Sequence, residues 1–258
     1  MKAYIKSARD DIARGHAWTP ALCVTLCITL CTTLSACSPS TIKNKQGQAQ
    51  PEKEWKFSQL AKTDIDEVAE AHLEESLATL KLIMEKLYRR NPRELRKGGF
   101  ATIDEATKKA FDYSKHWRFA ELENKRGVDA MQLAFKPEFA GDRVFALIVG
   151  MGSMIHQGYN EQNEFYAFDS LDAQALYNAA RNIEIAVWKL SSTRDAHGQL
   201  LLLSSEIGPE TRNVSFEREF GKLIAYQDVL AKIIAQRSNR TIRMFVQNVA
   251  GAVFLPVR

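Results

Sequence analysis

The apolar positions of this chain recur mostly in steps of three and four, the spacing of one face of an α-helix. From Asp64 to about Arg90 they fall at Ile65, Val68, Ala69, Leu73, Leu77, Leu80, Met84 and Leu87. Asp64, Asp66 and Glu67 crowd the start of that stretch and Arg89 and Arg90 its end, which complements the helix dipole. Asn91-Pro92 stops it, because proline lacks an N–H and the residue before it avoids the α region. Pro92 opens a short helical turn to Lys97, closed by Gly98-Gly99. Thr102-Ile103-Asp104-Glu105 reads as a capping box and starts a helix to about His116, with Trp117 and Phe119 as core anchors beyond it. Val128 to Phe139 is ambiguous, since Pro137 prevents a clean helix. From Val144 to Ile155 the chain is uncharged, and Ala146 and Gly150 lie four apart, so one helical face is nearly bare. That run predicts a central buried helix packed closely by its neighbours; a buried strand is the alternative, because a short apolar run has no diagnostic period.

Residues 156–169 read as a loop. Asp169 or Ser170 caps a helix through about Arg194, Ser215 caps another to about Arg237, and a last helix runs from Arg240 to about Val253. Leu200 to Leu203 is a short apolar run and Gly208-Pro209 a turn. Strand signals are scarce and no repeat recurs at a fixed period. The pattern therefore predicts an all-α fold, a helical bundle of about six helices over residues 55–258.

The first 37 residues follow a different rule. Residues 1–20 carry a net charge of +2, residues 21–34 carry none, and Ser35, Ala36 and Cys37 follow. That is the order of an export signal. Fourteen helical residues rise about 21 Å, short of the ~30 Å hydrocarbon core, so a permanent transmembrane anchor is the weaker reading. Leu34, Ser35, Ala36 and Cys37 fill the four places of a lipobox, and this segment resembles that of bacterial lipoprotein precursors. The resemblance implies lipidation of the Cys37 thiol by palmitate-like chains, cleavage before Cys37 and acylation of the new amino terminus. It thus implies a membrane contact through a lipid anchor. Ser38 stands where many enteric lipoproteins carry the Asp that keeps them in the inner membrane. By that analogy the domain sits on the inner leaflet of the outer membrane, facing the periplasm. The long charged region, with two acids and Trp18, departs from the family pattern.

The expected organisation is then an export signal at 1–36, a lipidated cysteine and flexible tether at 37–54, and the helical domain at 55–258. The tether sequence, SPSTIKNKQGQAQPEKE, has too little apolar surface to offset its ordering entropy, so signal and tether are expected to be disordered. Seventeen such residues span about 20–25 Å. Cys23, Cys27 and Cys31 leave with the signal, so the body from Ser38 onward has no cysteine. Disulfides, thiolate metal sites and a cysteine nucleophile are excluded for it. Removing the signal turns a formal charge of +4 into +2, a balance that argues against nucleic acid as a partner.

Candidate chemistry is thin. His72, His116, His156 and His197 show no metal-ligand spacing, and neither a metal nor a cofactor is expected. His72 lies on an apolar stripe and reads as a core histidine; His197 reads as a helix-end residue. His156 follows the apolar run near Gln157, Tyr159 and Asn160 and is the histidine to test first. Gly150-Met151-Gly152-Ser153 lacks the rest of a phosphate loop or nucleophile elbow, and close helix packing explains its glycines. The carboxylate pairs Asp64/Asp66/Glu67, Glu74/Glu75, Asp169/Asp172 and Glu217/Glu219 fit helix starts and solvated faces. The loop aromatics Tyr159, Phe165, Tyr166 and Phe168, with His156, are the candidate binding residues, set against a simple role in covering the core. The apolar end, Ala252 to Arg258, either docks on the core or offers a partner-binding tail. The leading functional expectation is an envelope lipoprotein with a helical interaction domain and an envelope protein partner. A lipoprotein that binds a small apolar envelope ligand along Val144–Ile155 is the alternative, and a hydrolase using His156 or a carboxylate pair stands third.

Overall fold

A computed structural model describes residues 63–166, 171–207, 212–238, 242 and 253–257. The chain divides after Trp55, and every described residue belongs to the unit from Lys56 to Arg258. The segments expected to be an export signal and a tether, with Cys37, Phe168, the Gly208-Pro209 turn and all of the expected final helix but Ile242 and Val253, lie outside the described residues.

The described chain is all-α, with seven helices. They are α1 (Asp64–Arg90), α2 (Pro92–Lys97), α3 (Ile103–Ala110), α4 (Gly127–Phe135), α5 (Arg143–Gly158), α6 (Ala173–Ser192) and α7 (Ser215–Ser238). Two 3₁₀ turns, Tyr113–Lys115 and Ala120–Leu122, lie between α3 and α4. A minimal antiparallel pair, β1 (Glu206–Ile207) with β2 (Arg212–Asn213), precedes α7. Helix α5 is the centre: α4, α1 and α6 pack on it most extensively, and α7 lies across α1 and α6.

The apolar run at 144–155 is a helix, and every residue from Arg143 to Ile155 is buried. It has no solvent face because three helices cover it, which is why its sequence shows no amphipathic period. Its glycines are notches. A Cβ on Gly150 would stand 2.5 Å from the Met131 backbone nitrogen of α4, and one on Gly152 would stand 2.4 Å from the Trp117 ring. The sequence places these glycines for close packing, and the structure names the partners.

Three boundaries differ from the sequence expectation, each for a local reason. The helix from Thr102 ends at Ala110 rather than near His116. There Asp112 accepts hydrogen bonds from the Ser114 N–H and hydroxyl, which competes with helix continuation, and His116 turns left-handed with φ 48°. Its Thr102 hydroxyl caps Glu105, while the Glu105 carboxylate accepts from Ala101 rather than from Thr102. Helix α6 is capped by Asp172, whose carboxylate accepts the Gln174 N–H at 3.0 Å. Helix α5 continues to Gly158, so the aromatic loop begins later than expected. At α7, Asn213 accepts both the N–H and the hydroxyl of Ser215.

Two glycine substitutions should move stability in opposite directions. Gly150→Ala forces backbone, not a flexible side chain, to give way, and a net loss of about 2 kcal/mol is expected despite better helix propensity. Gly221, inside α7, has nothing within 4 Å of an added Cβ. Gly221→Ala should therefore gain about 0.5–1 kcal/mol. Urea denaturation of the two variants checks both signs.

Candidate functional site

Three places gather polar groups that a site would need. The first is the C-terminal end of α5. His156 sits there half-buried, with Nε2 3.2 Å from the Asn163 side-chain oxygen and its ring 6.5 Å from that of Tyr113. Burial pushes its imidazole below the ordinary histidine value, aided by Arg126 and His116 and opposed by Asn163 and Glu161. Arg126 donates to Glu161 at 2.7 Å and ties the two loops together. The pairs His116/Trp117, Glu123/Asn124 and Asn160/Glu161 all have positive φ. Each such residue costs about 1 kcal/mol or more, so packing has to enforce them. Tyr113 and Phe111 both meet the buried Trp117 ring edge-on.

Among the described residues, the ring contact of His156 is with Tyr113 and not with a candidate aromatic. Tyr159 and Phe165 are fully buried, and their rings pack against each other 6.0 Å apart. Burial pushes the Tyr159 phenol up, and its hydroxyl faces Gln227 and Ser76. The Gln227 amide donates to the Ser76 hydroxyl at 2.9 Å, and that hydroxyl donates to the His72 carbonyl at 2.6 Å. His72 itself contacts the Tyr226 carbonyl through Nδ1 at 3.0 Å, and a carbonyl only accepts, so Nδ1 carries the proton. His72 is thus a hydrogen-bonded bridge between α1 and α7. Tyr166 is half-buried, and its hydroxyl donates to Glu164 at 2.8 Å. His197 is exposed in a tight turn where Asp195 accepts its N–H.

The second place was not visible in the sequence pairs of acids. Glu94 and Asp142, 48 residues apart in sequence, are both buried at the start of α5. Asp142 accepts the Phe145 N–H at 2.9 Å and the Tyr88 hydroxyl at 2.6 Å. Glu94 accepts the Arg143 N–H at 2.9 Å and is paired with Lys97 at 2.9 Å and Arg93 at 3.1 Å. The Arg143 guanidinium turns the other way and donates to the carbonyls of Ala134, Lys136 and Pro137, closing the end of α4. Each carboxylate thus answers an orphan donor of a buried helix, where the dipole also favours negative charge. The only signal for them in sequence is Asp142 preceding an apolar run.

The third place holds residues 253–257. Leu255 is buried, and Phe254 and Val257 pack against the core. The Asn182 amide donates to the Leu255 carbonyl at 2.8 Å, and its oxygen accepts the Leu255 N–H at 2.6 Å. Asn178 donates to the Pro256 carbonyl at 2.8 Å and is itself held by Gln174. Of the two sequence readings of this segment, docking on the core is the one observed. Among the described residues no group of three His, Cys, Asp or Glu side chains is placed to hold a metal ion, and no helix is long and apolar enough to cross a membrane.

Burial lifts the Asp142 carboxyl to about 6, Glu94 adds to the rise, and the bonds from Tyr88 and Phe145 pull against it. An unfolded aspartate titrates near 3.9, so between about pH 4 and 6 the folded chain keeps a proton that the unfolded chain releases. This group's contribution is therefore greatest below about pH 4 and declines as pH rises through 6. Asp142→Asn keeps a capping oxygen and removes the titration. Its stability relative to the parent chain should rise by about 3 kcal/mol between pH 4 and 7. Denaturation curves at four pH values measure this, and a flat difference would place the proton elsewhere.

No protein-family model, curated protein or solved structure matches the chain, so function has to be argued from its own residues.

Proposed function

We propose that this chain is an envelope lipoprotein, anchored through Cys37, whose helical domain serves as an interaction module for an envelope protein. The observation that carries the reading is Leu34-Ser35-Ala36-Cys37 at the end of an uncharged run of fourteen residues. The tether that follows would let the domain range about 20–25 Å from the membrane surface. Two or more acyl chains make such an anchor effectively stable, whereas one binds only reversibly. Ser38 in the second mature position favours the outer membrane's inner leaflet.

An interaction role fits the domain better than a pocket or a catalytic site does. The notches along α5, where a small apolar ligand would lie, are filled by Met131 and Trp117. Among the described residues, the groups beside His156 are the Asn163 amide and the Tyr113 ring, with Glu161, Arg126 and His116 acting on it electrostatically. The buried acids Glu94 and Asp142 are engaged with the backbone of α5.

Metabolic labelling with palmitate tests the anchor. The chain produced in a bacterium with two membranes should take up label and partition with the outer membrane. Cys37→Ser should lose at least 90 % of the label (on the order of tenfold) and appear in the soluble periplasmic fraction, since one thiol carries the modification. Label that persists in Cys37→Ser, or none in the parent, would overturn the reading.

A further inference from the structure

We propose that the face of α6 bearing Asn178 and Asn182 is a receptor for an extended apolar peptide of a partner protein, and that residues 253–257 occupy it in cis. The proposal rests on the interaction-module reading and supplies its recognition chemistry: an apolar residue, then Leu, Pro and a further apolar residue, bound in an extended form.

The contacts divide into those that read main chain and those that read side chain. Asn182 is fully buried and spends both ends of its amide on one residue, the N–H and the C=O of Leu255. That is half of a β-ladder repeat made by a side chain, and any residue in extended form satisfies it. Asn178 takes the next carbonyl, that of Pro256. Proline at this place leaves no N–H to satisfy. Selectivity comes from the alternate side chains. Leu255 is buried, Val257 and Phe254 lie partly in the core surface, and the Lys189 ammonium stands 5.9 Å from the Phe254 ring. Val253 is largely exposed and contributes little.

A second asparagine in the molecule shows what a permanent dock looks like. Asn91 holds Leu203 in the same two-ended way, at 2.8 Å for each bond. That segment is tied again by Arg93 to the Leu201 carbonyl, by the Leu201 N–H to Thr193, and by the Arg194–Leu200 bridge. Among the described residues, every hydrogen bond that holds 253–257 runs to Asn178 or Asn182. Among the described residues the hydrogen bonds of this segment thus run to one helix face, and a peptide with the same main-chain form and a leucine presents the same groups to that face.

The probe is a fluorescent peptide with the sequence of residues 252–258, added to the full-length chain. Leu255→Asp disfavours the cis occupant by placing a charge in an apolar seat. The labelled peptide should bind this variant at least tenfold more tightly than it binds the parent chain. Asn182→Ala in the same background should then lose at least tenfold. In the unaltered chain, excess peptide should speed hydrogen exchange at the Leu255 amide. A folded Leu255→Asp chain that binds no more tightly than the parent would overturn the proposal. If that variant does not fold, the exchange measurement decides alone, and an unchanged Leu255 rate at millimolar peptide overturns it. A dimer that exchanges 253–257 between copies while free peptide fails to bind would also overturn it, in favour of chain exchange. All these measurements use purified protein, so they stand or fall independently of acylation at Cys37.

Discussion

A helix without a solvent face imposes the demands that the rest of this domain answers. Helix α5 is buried from its first residue to Ile155, so water satisfies none of its N-terminal donors. An unpaired buried N–H costs about 1–3 kcal/mol, and four stand at every helix start. Asp142 caps from within the chain, and Glu94 is brought in from α2 to take the Arg143 N–H. Burying Glu94 then requires cations, which Lys97 and Arg93 supply from the same short helix. Tyr88, one turn from the end of α1, donates to Asp142. The α1–α2 corner at Asn91-Pro92 is thus the piece of backbone that delivers four of these groups, Tyr88, Arg93, Glu94 and Lys97, to one point. Arg143 joins the same knot to α4 through three carbonyls.

The buried asparagines solve a second problem of the same kind. Extended segments laid on a helical core carry backbone groups that no helix neighbour can pair. Asn91 and Asn182 each supply one donor and one acceptor on a planar amide, which matches the N–H and C=O of a single extended residue. The helices thereby gain short strand-like partners without a sheet. Ser76, Gln227 and Tyr159 form a third polar cluster, where α1 and α7 approach the end of α5. Each of these clusters fixes the relative position of elements that packing alone would leave free to slide.

The sequence was legible where a rule is local. Helix α1 runs from Asp64 to Arg90 as the spacing of its apolar residues and its terminal charges require. The glycines of α5 were legible as packing notches because Ala146 and Gly150 share a face. Glu94 was not legible: in sequence it is one of several acids beside Arg and Lys, and only the Asn91-Pro92 corner turns it inward. Asn182 was hidden for the same reason, since its partner lies 73 residues away. Tyr159 and Phe165 were misleading as surface candidates, because aromatic density in a loop looks alike whether rings cover the core or face solvent. The stop at Ala110 was missed because Asp112-Tyr113-Ser114 competes with the helix through a side chain, which apolar spacing does not register.

The energetics of the 253–257 dock decide whether it is scaffold or switch. Burying one leucine is worth about 1.5–3 kcal/mol, and three neutral hydrogen bonds add about 1 kcal/mol each. Ordering five residues of backbone costs about 1–2 kcal/mol apiece, which is as large as that gain or larger. The partly buried Phe254 and Val257 add to the gain, so gain and cost lie close together and the closed form is held by a narrow margin. A partner peptide that makes the same contacts meets an already built surface, because Asn178 is held by Gln174 and Asn182 also donates to the Met154 sulfur at 3.4 Å. What the partner must overcome is the covalent advantage of the cis segment, which acts as a high local concentration. Under the proposed lipid anchor, the domain would gain the same advantage for a partner held in that membrane. The proposed anchor and the proposed peptide seat would act on the same quantity, local concentration, from opposite sides.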